Sequence, residues 1–126
     1  MKQLDRFKNI ILTYSQYGWQ LRRIVMRPET RAALDGAELD ALGSAVTVQE
    51  SALDALWFAR PSLDGREAWE LRLVADTPYA LFEMFEADEE EEDREDVRRE
   101  MEARMRDYAE KQRSGQARVG GMDLDS

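Results

Sequence analysis

Leu4, Phe7, Ile11 and Tyr14, with Ile10 and Tyr17 beside them, recur at steps of three and four residues, the spacing that gathers side chains on one face of a helix. Gly18 follows, suited to the left-handed backbone that ends a helix. From Trp19 to Met26 the run WQLRRIVM is rich in branched and aromatic residues and stops at Arg27-Pro28, which predicts a strand. Arg23 interrupts its Trp19, Leu21, Val25 face. The stretch from Pro28 to Gly43 predicts one or two short helices broken at Asp35-Gly36.

Residues 53 to 86 can be argued to register. Asp64-Gly65 lies between two strand-like runs and is the pair favoured where a two-residue hairpin turn needs positive φ at both positions. Counting outwards, Arg60 then faces Trp69, Phe58 faces Leu71 and Leu56 faces Leu73. A tight turn over Ala75-Asp76-Thr77-Pro78 aligns Leu73 with Ala80, Leu71 with Phe82 and Trp69 with Met84. Together the two turns predict a three-stranded antiparallel meander with the apolar side chains of these pairs on one face, covered by the first helix. The other face carries Trp57, Arg72 and Leu81, then Ala55, Val74 and Tyr79, with Ala59, Glu70 and Glu83 at one end. A solvated face is mostly polar, whereas a tryptophan, an arginine and branched apolar groups side by side are the composition of interface hot spots. Two covers fit that face, the chain's own helices or a partner.

Beyond the meander, residues 86 to 96 read EADEEEEDRED, nine carboxylates and Arg94. Val97, Met101, Met105 and Tyr108 then keep helical spacing. Glu90/Arg94, Glu95/Arg99, Glu100/Arg104, Glu102/Arg106 and Asp107/Lys111 are acid-before-base pairs four apart, each worth about 0.2 to 0.5 kcal/mol on an exposed helix. Like charges four apart at the start of the run oppose helix formation, so a stable helix is expected from about Asp93 to Arg113. The stripe is narrow, enough for a helix that lies in a groove or pairs with its twin, and methionine suits such an adaptable surface. The last segment, SGQARVGGMDLDS, has three glycines and little apolar content. The chain thus divides into an α+β core over 1–88, an acidic junction with a charged amphipathic helix over 89–113 and a flexible tail over 114–126.

Composition narrows the chemistry. Of the formal charge of −9, the acid run supplies −8, so the remainder is near neutral and offers no basic stripe for nucleic acid or an anionic membrane. Cysteine and histidine are absent. That removes thiol nucleophiles, thiolate metal sites, the usual proton shuttle near neutral pH and the commonest metal ligand. The run of acids lacks the alternating spacing and turn glycine of a calcium loop, so no metal and no cofactor is expected. Glu70 and Glu83, opposite one another in the predicted register with Arg72 nearby, are the only carboxylates singled out for acid and base roles. The amino-terminal segment carries charges and no long apolar run, so neither a signal peptide nor a membrane span is read, and a cytoplasmic address is expected.

These observations predict an α+β fold with an antiparallel sheet of about four strands, an N-terminal helix packed on it and a long charged C-terminal helix. The expected function is a non-catalytic protein-binding module, an adaptor, chaperone-like protein or regulator. It would use Trp57, Arg72, Tyr79 and Leu81 on the sheet, Met101, Met105 and Tyr108 on the helix, or both. The alternatives are a small enzyme or ligand-binding domain built on Glu70, Glu83 and Arg72, and a structural homodimer subunit.

Overall fold

In the computed structural model a five-stranded sheet of order β2-β1-β3-β4-β5 lies between two helical layers. The backbone is described for residues 2–43 and 46–122, and side chains for residues 3–43 and 46–112. Helix α1 (Lys2–Gln16) leads into β1 (Gln20–Met26), two short helices α2 (Pro28–Ala32) and α3 (Gly36–Gly43), and β2 (Thr47–Glu50). The meander β3 (Ala55–Pro61), β4 (Glu67–Leu73) and β5 (Ala80–Phe85) follows, then α4 (Glu91–Met122). β2 pairs with β1 in parallel and the other ladders are antiparallel. The expected tail over 114–126 lies outside the residues with described side chains. No helix among the described residues is long and apolar enough to cross a membrane.

Local chemistry accounts for the punctuation. Gly18 ends α1 at φ 85°, and Trp19 N–H donates to Tyr14 C=O. Asp35 and Glu38 cap α3 reciprocally, each carboxylate accepting the other's backbone N–H at 2.8 and 3.0 Å. β1 carries a bulge between Leu21 and Arg23. The extra residue sends Leu21 and Ile24 to the same face, opposite Phe58 and Leu56, and leaves Arg23 opposite Trp57. Plain alternation could not produce that arrangement, and it explains how Arg23 comes to lie on the Trp57 side of the strand. β2 is a fifth strand beyond the four expected, only four residues long and mostly exposed.

The meander exists, but both hairpins are displaced by one residue from the expected register. Trp57 faces Leu71 and Leu71 faces Leu81; Phe58 faces Glu70, which faces Phe82. In the first turn Asp64 and Gly65 do adopt positive φ, 60° and 77°. Leu63 joins them, however, and Ser62 N–H closes the loop on Arg66 C=O at 2.8 Å, making three loop residues where two were expected. In the second, Leu73 N–H bonds Tyr79 C=O, so Val74 joins the loop on the β5 side, while its own N–H, facing β3, continues that ladder to Asp54 C=O. The two slips cancel between β3 and β5. Only β4 is turned over, so Trp69, Leu71 and Leu73 join Trp57 on the face beneath α4, while Glu70 and Arg72 join Leu56 and Phe58 on the face beneath α1.

Two cores result. Under α4, Trp57, Leu71, Phe85, Met101 and Met105 are essentially inaccessible. Under α1, Phe7, Ile24, Leu56 and Phe58 are equally so. Each large apolar side chain so buried contributes roughly 1.5 to 3 kcal/mol, which makes α4 a wall of the core.

Candidate functional site

The residues expected to meet a partner largely meet one another. Trp57 is buried beneath α4, and its indole N–H donates to Glu102 Oε2 at 2.8 Å. Met101 and Met105 pack into the same cluster, with Leu81 and Tyr79 half-buried at its edge. Tyr79 stacks on Tyr108 with ring centroids 3.6 Å apart. The mixed sheet face and the methionine stripe are therefore the two sides of one intramolecular interface, and neither is free while α4 is docked. Arg72 lies on the opposite face of the sheet.

The carboxylate pair is separated by the same register slip. Glu70 is cross-strand from Phe82 on the α1 side, whereas Glu83 is cross-strand from Trp69 on the α4 side. They share no site. Glu70 instead accepts a hydrogen bond from the Tyr14 hydroxyl, and Tyr14 stacks on Phe58 at 4.1 Å. Burial, reinforced by that hydrogen bond, pushes the Tyr14 phenol well above its usual range. Among the described residues no group of His, Cys, Asp or Glu is arranged to hold a metal ion.

The acid run proves to have two parts. Glu91, from the surface, and the half-buried Glu95 accept from Arg98 at 2.8 and 2.9 Å, and Glu95 also takes both terminal nitrogens of Arg23 from β1, at 2.8 and 3.1 Å. Arg98, only 2 % exposed, lies 3.9 Å from the centroid of the Trp69 ring. Hydrogen bonding from Arg98 holds Glu91 below the ordinary carboxylate range, and hydrogen bonding from Arg23 does the same for Glu95. Two of the nine carboxylates thus form a clasp fixing the start of α4 to the sheet. None of the five expected pairs four apart is among the ion pairs of the described residues; Arg94 bonds Glu86 C=O and pairs with Glu67. The other part, the carboxylates of Glu86, Asp88, Glu90, Glu92 and Asp93, is exposed and enters no ion pair among the described residues.

Two features that periodicity did not single out remain. The first is a cavity of about 240 Å³ at one end of the sheet, with Gln3, Arg6, Arg27, Asp54 and Tyr108 in its wall. Asp54, 4 % exposed, accepts from Gln3 Nε2, Arg27 N–H and Thr30 Oγ1 at 2.7 to 2.9 Å. An acid flanked by Leu53 and Ala55 was the available signal. The second is the β4–β5 half of the α1-side face. The short α1 lies over β1 and β3, reaches β4 through Tyr14 at Glu70 and, just beyond its end, Gln3 at Val74 C=O, and leaves Ala80 exposed and Phe82 53 % exposed, with Trp19 edge-on to the Phe82 ring at 6.4 Å. No family model, curated protein or solved structure matches this chain, so its function rests on this geometry.

Proposed function

We propose that the protein is a non-catalytic protein-binding module that receives its partner on the open half of the α1-side face, beside β5. The observation that carries this reading is Phe82, a large aromatic side chain 53 % exposed on the outermost strand of the sheet. Aromatic residues, phenylalanine among them, are enriched in interfaces relative to the rest of a protein surface. Relative to the sequence-based expectation, the site moves from Trp57, Tyr79 and Leu81 to Phe82 and its neighbours, because α4 already occupies the first face. A capture from native-host lysate with the full chain and with Phe82→Lys tests it. A partner held by the first and lost by the second is expected; a partner held equally by both removes this surface.

A second reading is supported by the cavity, where the Arg6 and Arg27 side chains, both partly exposed, border the buried Asp54 carboxylate. A small ligand bearing an anionic group would compete with Asp76 for Arg6, its present ion-pair partner. Thermal stabilisation by small carboxylic acids that Arg6→Gln abolishes would favour this reading over the first.

A further inference from the structure

The sheet has two edges, and they are guarded differently. β2 is four residues long with Thr47, Gln49 and Glu50 exposed, a short polar edge of the kind that discourages pairing. β5 is longer, reads ALFEMF, and pairs with β4 without a bulge. It contains no lysine or proline, and its one charge, Glu83, sits on the α4 side. Leu73 N–H donates to Tyr79 C=O, so the hydrogen-bonded pairs of this antiparallel ladder continue at Leu71–Leu81 and Trp69–Glu83. The backbone groups of Ala80, Phe82 and Met84 therefore point away from the sheet, and the same three residues carry their side chains on its open half.

We propose that β5 accepts an extended segment of a partner protein as a sixth strand, and that the segment carries an apolar residue against Phe82 and lysines or arginines at the end lying beside residues 86–93. This rests on the binding-module reading above and gives its partner a chemistry. Strand addition supplies main-chain hydrogen bonds from the edge and specificity from alternate side chains. The charge follows from what lies at the end of β5: Glu86, Asp88, Glu90, Glu92 and Asp93 are exposed and unpaired among the described residues. A strand running past Phe85 enters that field. A second copy of the chain brings a net charge of −9 of its own, so electrostatic complementarity favours a basic segment over self-pairing.

The test is panning of a random linear peptide library against the full chain, followed by backbone amide exchange on the complex with a synthesised winner. Expected are winners that alternate apolar residues and carry clustered Lys or Arg, slowed exchange at the Phe82 and Met84 amides, and weaker binding as salt rises. Met84→Pro removes an outward N–H and no internal ladder bond, a position where a strand tolerates proline; it should weaken the winner by about tenfold or more with the melting temperature little changed. Phe82→Lys gives the same loss without touching the backbone. Winners lacking positive charge that still need Phe82 would overturn the basic partner and leave the binding module standing. No winners, or winners indifferent to both variants, would overturn both. A doubling of mass abolished by Met84→Pro would replace the peptide with a second copy.

Discussion

The two faces of this sheet are built from similar residues and closed to different extents. On the α4 side the helix crosses the outer strands of the meander, and Trp57, Trp69, Leu71 and Phe85 lie beneath Met101 and Met105. On the α1 side Phe7, Leu56 and Phe58 are as deeply buried, but α1 ends at Gln16 and covers only the inner strands. An aromatic residue of the meander is thus core at position 57 and surface at position 82. Composition does not distinguish those fates; the length and direction of the covering helix do.

The most severe way to break the comparison is at its closed end. Trp57→Ala removes a fully buried indole and leaves the buried Glu102 carboxylate without its donor, so it is expected to destabilise the fold by about 4 kcal/mol. Chemical denaturation followed by circular dichroism measures this. A change under about 1 kcal/mol would mean that α4 does not rest on this face. Arg98→Ala should come next, at about 2 to 3 kcal/mol, less than the roughly 3 to 5 kcal/mol typical of breaking a fully buried pair because Glu91 is itself exposed. Arg98→Met keeps contact with Trp69 while removing the charge, and is expected to recover about half of that loss. Equal losses for the two variants would assign the clasp to its ion pairs alone.

The faces should also respond to pH in opposite senses. Glu91 and Glu95 are held below their ordinary range, so what they contribute is complete above that range and is lost as pH falls through their lowered values. Tyr14 is held above its ordinary range, so its contribution is complete below that range and is lost as pH rises toward the folded value. Acid should therefore loosen the α4 side first and alkali the α1 side. Denaturation midpoints across pH, compared with Arg98→Met at the acid end and Tyr14→Phe at the alkaline end, check this. Each variant should flatten only its own limb.

Much of this architecture was legible because it depends on strong local signals. The step of Leu4, Phe7, Ile11 and Tyr14 located α1, Gly18 its end, and the Asp64-Gly65 pair a turn with both residues at positive φ. The register was not legible, since Leu63 enters the loop of the first turn and Val74 that of the second, where pairing with β5 begins at Leu73–Tyr79. One residue of slip exchanges the faces of a strand, and here it separated Glu70 from Glu83 and placed Trp69 beneath Arg98. The clasp was hidden for a related reason. Arg98 reaches acids three and seven residues back, and Arg23 reaches Glu95 only after a bulge turns it toward α4. The open half of the α1 face depended on how far a helix reaches, which no periodicity records.

The mildest perturbation sharpens the comparison most. Phe82→Ser removes an aromatic side chain, as Trp57→Ala does, but from a half-open position whose main partner is Trp19, edge-on at 6.4 Å. Such an aromatic pair is worth about 0.5 to 1.5 kcal/mol beyond its buried area, and partial exposure places the expected loss near 0.5 kcal/mol. The three tryptophans of the chain make the change readable, because Trp57 and Trp69 lie beneath α4 and Trp19 alone adjoins Phe82. Acrylamide quenching of the native protein should therefore rise in Phe82→Ser through the Trp19 component, with the shielded component unchanged. A rise in the shielded component would show that the two faces communicate through the sheet. A loss of stability approaching that of Trp57→Ala would mean that the α1 side is closed by something other than α1.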